Sequence, residues 1–194
     1  MNDQVTAKET AEILRLATEC LPLAGDWAEL GCYRGDTSVL LGKLLQSASD
    51  NTNNRHLWIY DSFAGLPAKT REDSSGAGAN FQAGELLVSK REVVEKIRRA
   101  NLHNIIIKKA WFDQLTATDL PAKIAFAFLD GDLYTSIRTS LNLVHPRLMP
   151  EGIIVVHDYN NPELPGSARA VEEFLHAHRE YRFRQQHSLA ILTR

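Results

Sequence analysis

Two apolar runs of this chain end abruptly in acids. Phe128-Leu129 leads into Asp130-Gly131-Asp132, and Val155-Val156 leads into His157-Asp158. A buried strand gains nothing for a core by ending in carboxylates, whereas the carboxyl edge of an open α/β sheet is where ligands bind. Asp130 and Asp158 offer oxygens to a hard divalent cation, with the His157 imidazole beside them. Asp132 lies two residues past Asp130, so a persisting strand turns both to one side and makes Asp132 a candidate general base. The competing reading has Asp132 capping a helix that starts near Leu133, with His157 and Asp158 as ordinary loop residues. Two acid-ended strands in one sheet favour a site.

Two further segments fit the same edge. In Glu29-Leu30-Gly31-Cys32-Tyr33-Arg34-Gly35, the glycines permit a tight turn and close approach of a ligand to the backbone. The following helix offers free N–H groups. Tyr33 stands where a dinucleotide fingerprint needs its second glycine, so a pyrophosphate fits badly. An acid ahead of the first glycine suits a cationic or zwitterionic ligand. The alternative is a plain strand-to-helix turn. Asp61 ends the next strand and is followed by Ser62; a carboxylate there can accept both hydroxyls of a ribose. A lone acid in that place also serves as a cap or turn residue, and pairing with the first segment favours the ribose. Trp111, in Ala110-Trp111-Phe112, can wall an adenine or pack in the core.

These residues need a sheet to carry them. Thr6 and Glu9 have capping-box spacing, and Ile13, Leu14, Leu16, Ala17 and Leu21 follow in helical period, giving a helix over 6–21. Strands are expected at Trp27–Leu30, Leu57–Tyr60, Ile105–Ile107, Ile124–Leu129 and Ile153–Val156. Helices are expected after Gly35, near Glu85–Ala100, Leu133–Leu148 and Ala168–His178, with a hairpin of Tyr181–Arg184 and Leu189–Leu192 at the end. Alternating strands and helices imply a mostly parallel sheet with helices on both faces, and the hairpin adds one antiparallel strand. Residues 67–84, rich in Gly, Ser and charge, are too long for an ordinary connection and read as a mobile insertion over the site.

At 194 residues the chain is expected to form a single domain. A net charge of −2 gives no electrostatic footprint for nucleic acid. Lys90, Arg91, Lys96, Arg98 and Arg99 read as the wet face of a helix. Cys20 and Cys32 lack metal-ligand spacing. No apolar run approaches the ~20 residues of a membrane span, and the polar start carries no signal-peptide core, so a cytoplasmic location is expected.

Taken together the segments resemble class I S-adenosylmethionine-dependent methyltransferases, and within them the macrocin O-methyltransferase family of sugar O-methyltransferases. The resemblance rests on Ala28-Glu29-Leu30-Gly31-Cys32-Tyr33-Arg34-Gly35, Tyr60-Asp61-Ser62-Phe63-Ala64-Gly65-Leu66-Pro67 and Leu129-Asp130-Gly131-Asp132-Leu133-Tyr134. His145-Pro146-Arg147-Leu148, His157-Asp158-Tyr159 and Ala168–Phe174 continue it. It implies a Rossmann-like sheet and S-adenosylmethionine as cofactor. Cofactor contacts are then expected from Glu29, Gly31, Cys32, Tyr33, Gly35, Asp61, Ser62, Trp111 and Asp130. It further implies a divalent cation, Mg²⁺ or Mn²⁺, on Asp130, His157 and Asp158, and Asp132 as the base that deprotonates a hydroxyl of a small acceptor. The family typically carries an acid where this chain has His157, which sets a nitrogen among the oxygens. Related enzymes assemble as dimers or larger, so a homo-oligomer is expected. Competing readings are a catechol- or caffeoyl-thioester-type O-methyltransferase and a cofactor-binding protein with a degraded metal site. A nicotinamide oxidoreductase is disfavoured by the missing central glycine.

Overall fold

The computed structural model describes residues 5–48, 55–74 and 81–194. Strands β1 (Asp26–Leu30), β2 (Leu57–Asp61), β3 (Ile105–Lys109), β4 (Ile124–Leu129), β5 (Leu148–Val156), β6 (Arg182–Gln186) and β7 (Leu189–Thr193) form one sheet in the order β3-β2-β1-β4-β5-β7-β6. The pairs among β1 to β5 are parallel, and only β7 runs against its neighbours. β4, at the centre, is buried along its whole length. Its neighbours and the helices on both faces exclude water from it, which is why it reads as an unbroken apolar run.

Helices α1 (Ala7–Glu19), α2 (Asp36–Ser47) and α3 (Lys90–Arg99) cover one face. There Ile13, Leu16, Leu41, Leu45, Val93 and Ile97 pack with Trp27, Phe126 and Phe128. Helices α4 (Tyr134–Val144) and α5 (Pro165–Ala177) cover the other, where Ile137, Leu141, Val171 and Phe174 meet Leu129, Ile154 and Val156. Leu40 and Val94, which the sequence pattern places in the buried stripes of α2 and α3, are exposed instead. Among the described residues no helix is long and apolar enough to cross a membrane.

Several boundaries differ from the sequence expectation: α4 ends at Val144 and β5 begins at Leu148, ahead of the expected Ile153, and three helix starts shift for identifiable reasons. α3 begins at Lys90, not Glu85, because Ser89 and Glu92 form a capping box and Leu86 takes a left-handed φ of 60°. α5 begins earlier, with Pro165 in its first turn. α4 begins at Tyr134 without a local side-chain cap. Its first N–H donates instead to Oδ1 of Asp73, at 2.7 Å, so the capping role considered for Asp132 belongs to a residue far along the chain.

That bond also anchors part of the insertion expected over 67–84. Asp73 is 1% exposed, and its Oδ2 accepts from the N–H and hydroxyl of Thr70 at 2.8 and 2.9 Å. Gly166 of α5 makes room for it: an added Cβ there would stand 2.0 Å from Asp73 Oδ1. At the base of the insertion, Leu66 donates to the Glu85 carbonyl and accepts from Gly84 N–H. The first part of the segment is therefore docked, while residues 75–80 lie outside the described set.

Candidate active site at the carboxyl edge of the sheet

The chain runs β1, β2, β3 outward to one side and then crosses back to β4, so the order of strands reverses between β1 and β4. Such a switch point opens a crevice beyond the strand ends. The register aligns those ends closely. Leu30 pairs with Tyr60 and Leu129, and Leu129 with Val156. Each next residue continues the ladder: Gly31 N–H donates to Tyr60, Asp130 N–H to Leu30 and His157 N–H to Leu129, all at 2.9 Å. Gly31, Asp61, Asp130 and His157 thus stand in one row.

A cleft of about 380 Å³ lies over that row, within the size range of small-molecule sites. Of the expected cofactor residues, Gly31, Tyr33, Asp61, Ser62, Trp111 and Asp130 line it, together with Asp132. Leu66 and Pro67, from the Tyr60–Pro67 segment that carries the resemblance, also line it, as do Gln114 and Ser136, which the sequence did not single out. Glu29, Cys32 and Gly35 lie behind the lining. Gly35 begins α2 in a left-handed conformation against Val93, and the Cys32 side chain is buried.

Asp61 does more than face the cleft. Its Oδ2 accepts from Cys32 N–H at 2.9 Å and Tyr33 N–H at 3.3 Å, and its Oδ1 from Phe63 N–H at 2.7 Å. The carboxylate holds the β1–α2 turn to the end of β2; both lone pairs of Oδ2 are taken, while Oδ1 keeps one for a further donor. Beneath the turn, Glu29 is 1% exposed and neither carboxylate oxygen has a hydrogen-bond partner among the described residues. Burial pushes its carboxyl up to about 8, with the charges of Asp130 and Asp61 adding to the effect and the nearby Ser38 hydroxyl relieving part of it.

On the other side of the cleft the structure brings the expected ligands together. Asp130 Oδ1 and Asp158 Oδ2 each lie 3.0 Å from His157 Nδ1. Asn161 steadies the second acid by donating to Asp158 Oδ1 at 2.8 Å. Two carboxylates facing one ring nitrogen need a positive centre among them, either a proton on Nδ1 or a cation. Adjacent ligands around a six-coordinate cation with bonds near ~2.1 Å are about 3.0 Å apart, so the two nitrogen–oxygen distances are compatible with a shared cation as well as with hydrogen bonds. Burial opposes a charged imidazole here, yet Asp130, then Asp158 and Glu9, raise the affinity of His157 for a proton overall. Asp132 sits in the cleft wall with a left-handed φ of 59°. Loss of hydration, followed by the charges of Asp130 and Asp158, holds its carboxyl well above the usual carboxylate range.

Sequence reasoning missed Glu9 at this site. Its capping-box spacing explains the start of α1 and gives no sign that the same carboxylate reaches His157 Nε2, at 3.7 Å.

A central parallel sheet with this reversal, closed by one antiparallel strand and sandwiched by helices, defines a class I methyltransferase fold. The chain belongs to the macrocin-O-methyltransferase (TylF) family, whose model matches residues 10–182. It is 30% identical over 141 residues to the 8-demethyl-8-(2,3-dimethoxy-alpha-L-rhamnosyl)-tetracenomycin-C 4'-O-methyltransferase of Streptomyces olivaceus, covering 70% of this chain and 53% of that enzyme. It is 28% identical over 155 residues to the demethyldecarbamoylnovobiocin O-methyltransferase of Streptomyces niveus, covering 77% and 58%. The chain thus spans little more than half the length of these relatives. The solved structure of the O-methyltransferase NovP shares the fold, with a TM-score of 0.84 over 99% of this chain and 81% of that one at 24% identity.

Proposed function

We propose that this chain is an S-adenosylmethionine-dependent O-methyltransferase acting on a hydroxyl of a small, sugar-type natural product, with a divalent cation held by Asp130, His157 and Asp158. One observation carries the reading: Asp130 lines the cofactor cleft and also stands 3.0 Å from His157 Nδ1, so one residue joins the two halves of a transfer site. The acceptor class is supported by the relatives, one of which is named for a 4'-O-methyl transfer on a rhamnosyl compound.

The residues divide the work by chemistry. Asp61, with the spare lone pair of its Oδ1, receives a ribose hydroxyl, and Trp111 walls the adenine. Glu29 beneath the Gly31 turn, protonated at neutral pH in the cofactor-free protein, gives up its proton and becomes the partner of the ammonium end of the methionine moiety as the cofactor binds. S-adenosylmethionine supplies a methyl group on a sulfonium. A cation supplies Lewis acidity that makes the acceptor hydroxyl easier to deprotonate. Asp132 takes the hydroxyl proton onto its carboxylate as the new C–O bond forms and the S–C bond breaks, leaving S-adenosylhomocysteine. The aligned strand ends hold these groups in fixed relation, and positioning of the two reactants supplies much of the rate.

Calorimetric titration tests the cofactor half. S-adenosylmethionine is expected to bind at a single site, and binding of NADH in its place would overturn the reading. Asp132→Asn is expected to leave cofactor affinity intact and lower turnover by about 10²–10⁴-fold.

A further inference from the structure

The cluster beside the cleft has a feature that its ligands alone do not explain. Behind His157, on the side away from Asp130 and Asp158, lies the carboxylate of Glu9 from the first turn of α1. Both residues are buried, Glu9 at 5% exposure and His157 at 3%. Glu9 Oε2 is 3.7 Å from His157 Nε2, and that nitrogen has no hydrogen-bond partner among the described residues.

Capping chemistry does not account for burying this acid. α3 starts with the same motif, Ser89 and Glu92, and its Glu92 stands in solvent. Glu9 is instead held by two residues, one on each carboxylate oxygen. Oε2 accepts from Thr6 N–H at 2.9 Å and from the Thr6 hydroxyl at 2.6 Å, while Oε1 accepts from Ser188 N–H at 3.3 Å and from the Ser188 hydroxyl. Ser188 lies in the β6–β7 turn, and its carbonyl accepts Tyr159 N–H at 2.7 Å, just past the site. A buried negative charge fixed this firmly sets the orientation of the ring it faces.

We infer that Glu9 is a positioning residue for the metal site: its carboxylate favours the His157 tautomer with the proton on Nε2, which leaves Nδ1 free as a ligand between Asp130 and Asp158. A metal-bound imidazole usually points its other N–H at a carboxylate or carbonyl, and loss of that partner typically weakens metal binding 10–100-fold. The inference rests on the cation reading of the proposed function. It adds that α1 and the β6–β7 turn, which contribute nothing to the cleft lining, set the affinity for the cation.

Glu9→Gln is the test, because glutamine also completes a capping box while losing the charge. Free Mn²⁺ measured by electron paramagnetic resonance gives the affinity without any turnover. Glu9→Gln is expected to weaken Mn²⁺ binding by about 10–100-fold with S-adenosylmethionine affinity retained, and Glu92→Gln to bind as the wild type does. In a His157→Asp background the added Glu9→Gln change should bring no further loss. Should Glu9→Gln fail to fold, Ser188→Ala, which removes one anchor of Glu9, is expected to show a smaller loss in the same direction. Unchanged Mn²⁺ affinity in both variants, or an equal loss in the His157→Asp background, overturns the role of Glu9 alone. A wild-type protein that binds no Mn²⁺ overturns the cation reading and this inference with it.

Discussion

Gly31 passes so close to Asp130 that an added Cβ would stand 2.0 Å from the Asp130 carbonyl oxygen. Gly31 also takes a φ of 92°, a conformation that L side chains rarely adopt. The turn after β1 and the acid after β4 are therefore one unit, and the glycine allows them to meet. Gly31→Ala is expected to cost about 3 kcal/mol through strain and overpacking, read by urea unfolding. Cofactor affinity should fall with it, because the displaced carbonyl belongs to Asp130; a variant of unchanged stability would show that the turn can relax.

Glu29 makes the protein's stability depend on pH in a direction unusual for a carboxylate. Its carboxyl is held at about 8 in the fold against an ordinary value of 4.5. Between those values the folded chain keeps a proton that the unfolded chain has released, so stability falls as pH rises from 4.5 to 8. Glu29→Gln should remove that slope, matching the wild type near pH 5 and exceeding it by about 1–3 kcal/mol at pH 8 in the cofactor-free protein. Thermal melts across this pH range check it. The same variant is expected to bind S-adenosylmethionine more weakly, since glutamine cannot ionise to pair with the ammonium.

Asp73 tests whether the insertion is part of the framework. Asp73→Ala leaves the Tyr134 N–H at the start of α4 without its acceptor, at a cost of about 1–3 kcal/mol in urea unfolding. Asp73→Asn, which keeps an acceptor oxygen, should cost less. Equal stability of the alanine variant and the wild type would mean that α4 finds another cap.

The sequence carries most of this arrangement where the cause is local. The Thr6–Glu9 spacing starts α1, apolar runs place β1 to β4 and the second half of β5, and acids at apolar strand ends mark Asp61, Asp130, Asp132, His157 and Asp158. What it does not carry are partnerships made by tertiary packing. Nothing near Tyr134 points to Asp73 as its cap, and nothing near Glu9 points to His157, because each pair is joined only when the sheet brings distant segments together. The Ser89–Glu92 box shows a different failure: the signal is in the sequence, but helical composition upstream draws the expected start back to Glu85, where Leu86 breaks the conformation.

The central claim is methyl transfer at a cation site built on Asp130. The direct measurement is the initial rate of transfer from methyl-labelled S-adenosylmethionine to a panel of deoxysugar-bearing acceptors. The same protein is assayed as prepared, after chelation, and after return of Mn²⁺. Transfer to a hydroxyl that is lost on chelation and restored by Mn²⁺ is the predicted result. Transfer that proceeds undiminished in the chelated protein would contradict the account.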